Sequence, residues 1–154
     1  MQQLIRSNDE FIDLLEGAID ALLDPVDCPL RHLFTPGLYS REIFIPKGTL
    51  LTSQIHKTCH PFTISKGKVS VWIDGGDEVI LEAPHTGVTY PGTRRVLYTH
   101  EDVIWTTYHP TDIVPEGDTA EDVERAVQKI GDLIIEEHHN HLLQQKQKED
   151  LCLG

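Results

Sequence analysis

Between residues 38 and 109 the chain is a succession of short runs rich in Val, Ile, Thr, Tyr and Trp. Turn-forming groups such as Pro46-Lys47-Gly48 and Pro91-Gly92 separate the runs, a pattern typical of strands with a turn about every 8 to 12 residues. The intervals leave no room for crossover helices, so the strands must pair antiparallel. This pattern predicts a β-sandwich or β-barrel. The predicted strands are 38–46, 50–55, 62–65, 68–73, 78–82, 87–90, 94–99 and 103–109.

Helical periodicity flanks this β region on both sides. Before it, apolar residues recur at helical spacing from Phe11 to Leu23, and Asp24-Pro25 ends the pattern. After it, an apolar stripe runs from Val123 to Ile134, behind a capping residue at Asp118 or Thr119. The N-terminal helix could pack on the domain surface or form a dimer contact. The predicted segments are an N-terminal helical segment at 1–29, a β-barrel at 30–114, and a C-terminal helix with a polar tail at 115–154.

The charge and cysteine content exclude several classes of partner. The formal net charge is −12 and the isoelectric point is near 5.0, which disfavours bulk nucleic acid and anionic membranes because both are bound through clustered Lys and Arg. No apolar run approaches the roughly 18 residues of a membrane span. Three cysteines without paired spacing and without a signal peptide predict a cytoplasmic protein. A small anion held by a few local arginines remains compatible with this composition.

One stretch, from Gly48 to Gly67, concentrates candidate site residues. Gln54 and His56 are two apart, so in a strand their side chains point to the same face. His60 then begins the next strand. Two strands that meet in this way can direct Gln54, His56 and His60 at one point inside a barrel.

The spacing of this stretch resembles the first motif of the cupin superfamily, which is Gly, five residues, His-x-His, three or four residues, Glu, six residues, Gly. Here Gly48 and Gly67 stand at the two ends, Gln54 occupies the slot of the first His, His56 the second, and His60 the slot of the Glu. The resemblance implies a single cupin-type jelly-roll barrel. It covers roughly residues 38 to 111.

The second cupin motif is recognisable in part. Gly92 is kept, whereas Tyr90 takes the proline slot, Arg95 the slot of the fourth metal ligand, and Thr99 the slot of the Asn. The stretch from Pro91 onward also resembles uncharacterised cupin-domain proteins of tailed bacteriophages. That second likeness implies no activity, and it places the protein in the host cytoplasm if it is phage-encoded.

The cupin resemblance implies a divalent metal such as Zn, Fe, Mn or Ni. His56 and His60 are suitable ligands, and His100 or His109 could complete the set. Arg95 cannot ligate, because its guanidinium stays protonated. A competing interpretation makes His56 and His60 hydrogen-bonded pocket residues without metal. His138 and His141, one helical turn apart, form a weaker second candidate.

Arg95 favours a carboxylate or phosphate on the ligand. The predicted ligand-binding residues are Arg95, Gln54, Tyr98, Trp105 and His109. An internal ion pair of Arg95 with Glu82, Glu101 or Asp102 is the alternative. Because Arg94 and Arg95 are adjacent on a strand, we expect one to face inward and the other to be solvated.

Three function classes stay open from the sequence. The first is a small-molecule binding protein with a degenerate metal site. The second is a metal-dependent cupin enzyme of the dioxygenase or isomerase type. The third is a structural or assembly module of a phage. Exposed sheet edges and apolar helix stripes further predict a homodimer or larger assembly.

Overall fold

The computed structural model describes residues 8–73 and 76–136. Two helices flank a set of strands in this part of the chain. The helices are α1 (Asn8–Leu22) and α2 (Ala120–Ile134). The strands are β1 (Leu30–Thr35), β2 (Leu38–Ile45), β3 (Leu50–Thr52), β4 (His60–Lys66), β5 (Lys68–Ile73), β6 (Glu78–Glu82), β7 (His85–Thr89), β8 (Arg95–Thr99) and β9 (Val103–Pro110).

The strand pairing is that of a jelly roll. The chain folds back on itself at the β5–β6 turn, so that β5 pairs with β6, β4 with β7, β3 with β8 and β2 with β9, all antiparallel. From β2 to β5, and again from β6 to β9, the strands alternate between a five-stranded sheet, in the order β1-β2-β9-β4-β7, and a four-stranded sheet, in the order β3-β8-β5-β6. The predicted antiparallel jelly roll flanked by helices is confirmed. It consists of two sheets rather than one closed cylinder.

Two features of the strands differ from the sequence prediction. Residues 30–35 form β1, an additional edge strand that pairs with β2, although they carry no clear alternation. The predicted strand 50–55 ends at Thr52, and the chain continues to His56 outside any strand. The hydrogen bonds of a regular β-ladder therefore do not position His56; other contacts do.

A cluster of buried apolar residues joins the two sheets at one end. The five-stranded sheet contributes Ile45, Phe62, Ile64, Val103 and Trp105, and the four-stranded sheet contributes Val69, Val71 and Leu97. Gly67 allows its own chain segment to approach the segment at Asp102 closely. Its φ is +93°, and a Cβ there would lie 2.2 Å from the Asp102 carbonyl oxygen. A side chain at this position would push the two chain segments apart.

The helices attach to the sheets in different ways. Thr119 caps α2 with a capping box, in which Asp122 N–H donates to Thr119 Oγ1 and the Asp122 carboxylate accepts from the Thr119 backbone. Ala126 and Ile130 bury the inner face of α2. On α1 the one fully buried side chain among the described residues is Ile12. The polar tail, with His138 and His141, lies outside the described residues.

Neither helix of the described chain is both long enough and apolar enough to cross a membrane.

Candidate functional site

A cavity of about 650 Å³ lies between the two sheets and α1, and borders the apolar cluster at Ile45, Leu97 and Trp105. Its apolar wall includes Ile43, Ile45, Leu51, Leu97 and Trp105. Its polar lining includes His56, His60, Arg41, Arg95, Gln54, Thr89 and Thr107, with Asp13, Glu16 and Asp20 contributed by α1. The cavity is therefore amphipathic, with convergent polar groups at one end, as small-molecule sites commonly are.

Three histidines meet at the polar end. The ring centroids are 4.5 Å apart for His60 and His109, 4.7 Å for His56 and His60, and 5.6 Å for His56 and His109. One ring nitrogen of each lies within 4.8 Å of those of the other two. We call His56, His60 and His109 the histidine triad.

Strand register explains two members of the triad. Phe62 on β4 is opposite Thr107 on β9. His60 lies two residues before Phe62, and His109 lies two residues after Thr107. Because the strands are antiparallel, the register brings these two side chains together on the same face of the sheet. Both are almost fully buried, with 2% of each residue exposed.

The third member, His56, is held by backbone contacts from two distant segments. It forms an isolated antiparallel bridge with Ile135, just after α2. Lys57 N–H donates to the Ile134 carbonyl at 2.6 Å, and Glu136 N–H donates to the Ile55 carbonyl at 2.8 Å. On the other side, Gly92 N–H donates to the His56 carbonyl at 2.9 Å. The C-terminal helix thus fixes the backbone that carries a triad histidine.

Hydrogen bonds at one ring nitrogen each orient the rings of His60 and His109. His60 Nδ1 lies 3.3 Å from the Thr58 carbonyl oxygen, to which it can donate only when Nδ1 carries the proton. His109 Nε2 lies 2.9 Å from Thr107 Oγ1. The other nitrogen of His109, Nδ1, is buried and has no hydrogen-bond partner among residues 8–73 and 76–136. A buried polar atom without a partner is costly, and this nitrogen is therefore available to coordinate a metal ion.

The triad is neutral at physiological pH. Burial lowers the pKa of His109 to about 3, with further lowering by His60, His56 and Arg41. Burial likewise lowers the pKa of His56 to about 4, with His60 and then Arg41 adding to the effect. The pKa of His60 is lowered as well, chiefly by burial. Neutral imidazole is the form that binds metal ions.

The donor set fits a divalent transition metal. Three neutral imidazoles suit Zn, Fe or Ni. Two nitrogens bound to one zinc ion at about 2.1 Å each can be at most about 4.2 Å apart, so small ring rotations would close the present separations. Within the described chain, the group of candidate metal ligands consists of the triad, and no carboxylate belongs to it.

Two arginines reach the cavity from opposite sheets. Arg95, on β8, extends across the interior, and its guanidinium carbon lies 5.2 Å from the Phe62 ring centroid and 5.9 Å from that of Trp105. Arg41, on β2, stands opposite Thr107 of β9. Burial lowers the pKa of Arg41. No hydrogen bond or ion pair joins its guanidinium to another residue of the described ranges.

Arg94 corrects one sequence expectation. Of the two adjacent arginines, one was expected to be solvated, yet the Arg94 side chain is completely buried. Its Nη2 lies 2.8 Å from Asp13 Oδ1 and 3.2 Å from Glu16 Oε1, both on α1. Glu16 also accepts a hydrogen bond from Thr52 Oγ1 on β3. Arg94 therefore anchors the N-terminal helix, and no local sequence pattern predicts that α1 covers this position.

Three predicted site residues, Tyr98, His100 and His109, do not line the cavity. Tyr98 points to the outer face of the four-stranded sheet and is 39% exposed. His100, predicted as a metal ligand, lies beside Tyr98, and its Nε2 is 2.6 Å from Ser70 Oγ. The triad takes His109 instead, which was predicted as a ligand-binding residue. None of the three acidic residues proposed as partners of Arg95, namely Glu82, Glu101 and Asp102, lines the cavity.

The remaining predicted residues His56, His60, Gln54, Arg95 and Trp105 do line the cavity. Arg41 was missed. A signal for it was present, because Tyr39, Arg41, Ile43 and Ile45 alternate along one strand and so share a face.

No protein-family model matches the sequence, and no curated protein does either. Solved structures that the chain resembles include a cupin 2 domain-containing protein from Halorhodospira halophila, with a TM-score of 0.48 and 14% identity, covering 66% of this chain and 77% of that one. The Cnp3 cupin domain of Schizosaccharomyces pombe has a TM-score of 0.47 and 17% identity, covering 69% and 72%.

A third similar structure is an RmlC-like cupin family protein with a double-stranded β-helix fold from Methanocaldococcus jannaschii. Its TM-score is 0.47 and its identity 9%, covering 58% of this chain and 84% of that one. The fold assignment for the present chain rests on its own strand pairing.

Proposed function

We propose that the protein is a cupin-type binding protein that holds a small anionic molecule in the cavity between its sheets, beside a divalent metal ion. The observation that carries the proposal is the pairing of two cavity arginines with a neutral histidine triad. His56, His60 and His109 would hold the metal. Arg41 and Arg95 would bind the anion.

Charge balance supports an anionic ligand. A divalent ion on three neutral imidazoles keeps its full charge, because no carboxylate belongs to the triad. Two guanidinium groups line the same cavity, together with the carboxylates of Asp13, Glu16 and Asp20 on α1, of which Asp13 and Glu16 are engaged by Arg94. An anion would offset both, and guanidinium groups bind carboxylates and phosphates through paired hydrogen bonds.

The first test is elemental analysis combined with native mass spectrometry of the untagged protein. We expect one divalent metal ion per chain and a co-purified small acid. The double variant His56→Ala with His60→Ala should lose the metal, whereas His85→Ala, a histidine of β7 outside the triad, should retain it. If the double variant keeps both metal and ligand, the proposed site is wrong.

A metal-dependent enzyme is the second candidate. One observation favours it: three protein ligands leave coordination positions open, as catalytic metal sites require. A bound metal would supply a Lewis acid or, if redox-active, an electron acceptor for a dioxygenase or isomerase reaction. Conversion of the co-purified acid by the metal-loaded protein, lost in His60→Ala, would distinguish catalysis from binding.

The third candidate, a phage structural module, is less favoured by the cavity of about 650 Å³, because a scaffold would fill that space with side chains. The phage likeness and the cytoplasmic setting stay predictions. Self-association is also part of the proposal, since large apolar side chains of α1 such as Phe11 and Leu14 are exposed in the single chain. Light scattering that gives 17.4 kDa at high concentration would contradict a dimer.

A further inference from the structure

Two histidines of the triad are hydrogen-bonded to the backbone of the residue two positions before them. Burial lowers the pKa of His56, and a hydrogen bond to the Gln54 backbone partly opposes that shift. His60 Nδ1 lies 3.3 Å from the Thr58 carbonyl oxygen. Because a carbonyl oxygen only accepts, the neutral His60 ring carries its proton on Nδ1. Its other nitrogen, Nε2, is therefore unprotonated and able to bind a metal ion.

The third histidine is bonded to a side chain instead. His109 Nε2 lies 2.9 Å from Thr107 Oγ1, again two positions earlier. A hydroxyl can either donate or accept, so this contact alone is compatible with a proton on Nε2 and with a proton on Nδ1. The position of the proton decides which nitrogen can bind a metal, because a protonated ring nitrogen has no free lone pair.

Burial of the other ring nitrogen favours one of the two forms. His109 Nδ1 is buried, and no residue within 8–73 or 76–136 forms a hydrogen bond with it. A proton on Nδ1 would be a buried donor without an acceptor, which is costly. A proton on Nε2 can instead be donated to Thr107 Oγ1, and it leaves on Nδ1 a lone pair that a metal ion can satisfy.

Aromatic packing holds the plane of the His109 ring without deciding where its nitrogens point. Tyr39, the residue opposite His109 on β2, packs against the ring with centroids 5.8 Å apart and planes inclined by 27°. Turning the imidazole by half a revolution about its Cβ–Cγ bond would keep this contact but would put carbon atoms in the place of both nitrogens. The Thr107 hydroxyl distinguishes the two orientations, because it can form a hydrogen bond with Nε2 and not with a carbon atom.

We propose that Thr107 is the positioning residue of the histidine triad: its hydroxyl accepts a hydrogen bond from His109 Nε2, so that the unprotonated Nδ1 is the atom that binds the metal ion. This inference rests on the proposed function, because it specifies what orients a ligand of the same metal site. His56 and His60 are oriented by backbone groups. The hydrogen bond of His109 is therefore the one of these three that a substitution of its partner can remove.

The first measurement is the tautomer of His109 in the full-length, metal-free protein at neutral pH. Long-range 1H–15N correlation NMR distinguishes a protonated from an unprotonated ring nitrogen, and the His109→Gln variant identifies the signals of His109 by their absence. We expect Nε2 to carry the proton in the wild type. In Thr107→Val, which has nearly the same shape but no acceptor, the proton should be shared between the two nitrogens.

The second measurement is zinc affinity, determined by competition with a chromophoric chelator. Thr107→Val should bind zinc about 10- to 100-fold more weakly than the wild type, the usual range when a hydrogen bond that orients a metal ligand is lost. Thr107→Ser keeps the hydroxyl and should bind nearly as tightly as the wild type. Thr106→Val is the matched control, because adjacent residues of β9 face opposite sides of the sheet. Its zinc affinity should equal that of the wild type.

The outcomes separate this inference from the proposed function. A proton on Nδ1 of His109 in the wild-type protein, a result that needs no variant to fold, would overturn the role of Thr107. An unchanged zinc affinity in Thr107→Val, or an equal loss in Thr107→Ser, would overturn it as well, and in all these cases the triad would remain a metal site. Failure of the wild-type protein to bind zinc would overturn the metal site itself and this inference with it.

Discussion

The two ends of the space between the sheets differ in chemistry, although the same strands build both. Along β2 and β9, paired inward residues change from Ile45 with Val103 at one end to Tyr39 with His109 at the other. On β4 the inward residues likewise change from Ile64 to His60. The apolar end is a packed cluster, and the cavity extends from the Ile45, Leu97 and Trp105 side chains of that cluster to the histidines of the polar end.

The two ends therefore have different roles: the apolar end stabilises the fold, and the polar end is the candidate binding site. Packed apolar side chains contribute most of the free energy of folding. Buried histidines and arginines contribute little to it, because their desolvation offsets their interactions. A sheet long enough to carry both kinds of residue can therefore keep a polar cavity without losing its fold.

The largest expected effect is the loss of stability caused by a substitution at the apolar end. Ile64→Ala removes a side chain that is fully buried in the apolar cluster, so we expect the free energy of unfolding to fall by about 2–5 kcal/mol. Gln54→Ala, at the cavity, should lower it by less than about 1 kcal/mol. Urea denaturation monitored by circular dichroism gives both values. Comparable losses in the two variants would contradict the division between the ends.

The polar end should respond to acid in the metal-free protein. The pKa of His56 is lowered from 6.5 to about 4, so the unfolded chain takes up a proton first as the pH falls. Stability is therefore unaffected above about pH 6.5 and decreases toward pH 4, on the order of 3 kcal/mol for this histidine.

The His56→Gln variant isolates that contribution. Its unfolding free energy, measured in urea at pH 7.5, 6.0 and 5.0, should depend less on pH than that of the wild type. Identical pH profiles of the two proteins would show that His56 is not buried as a neutral ring. Added zinc should shift the wild-type loss to lower pH, because protons compete with the metal for the triad.

A smaller effect is expected at the anchor of α1. Arg94→Ala removes the contacts to Asp13 and Glu16, whose carboxylates are partly exposed and can be hydrated, so we expect a loss of about 1–3 kcal/mol. Limited proteolysis should then cleave near α1 faster than in the wild type. Arg95→Ala should instead reduce ligand affinity more than Arg94→Ala does. If the two variants reduced ligand affinity equally, the division of roles between a cavity arginine, Arg95, and an anchor arginine, Arg94, would be wrong.

The smallest effect concerns the outer face of the four-stranded sheet. Tyr98→Ala and His100→Gln change residues that do not line the cavity. Metal content and ligand affinity should equal those of the wild type, as measured by elemental analysis and calorimetry. If His100→Gln lost its metal, His100 would be a metal ligand, as predicted from the sequence, and the triad would be wrong.

Sequence reasoning succeeded where a single strand decides the outcome. Alternation fixes which residues of one strand share a face, and so it predicted most of the strands. The slot of Arg95 in the second cupin motif, rather than alternation, predicted that Arg95 faces inward. The spacing of Gly48 and Gly67 located the turns, both of which have positive φ. Helix caps and apolar stripes located α1 and α2.

It failed where two distant segments meet. Whether His100 or His109 joins His56 and His60 depends on the register between β4 and β9, which no local pattern encodes. The burial of Arg94 depends on where α1 packs, and amphipathicity gives a helix an inner face without naming the surface it covers. The edge strand β1 was missed because Arg31 and His32 interrupt its apolar pattern.

The bridge between His56 and Ile135 sets an order of events during synthesis. The two residues are 79 positions apart (135 − 56), and every strand of the jelly roll lies before residue 111. On the ribosome the sheets can therefore pair while α2 is still inside the exit tunnel. The segment that carries His56 receives its hydrogen bonds with Ile134 and Glu136 only after those residues have emerged. The nascent chain should thus acquire its fold before its binding site, and a ribosome stalled when Pro110 has just left the exit tunnel would display a jelly roll whose triad is not yet fixed.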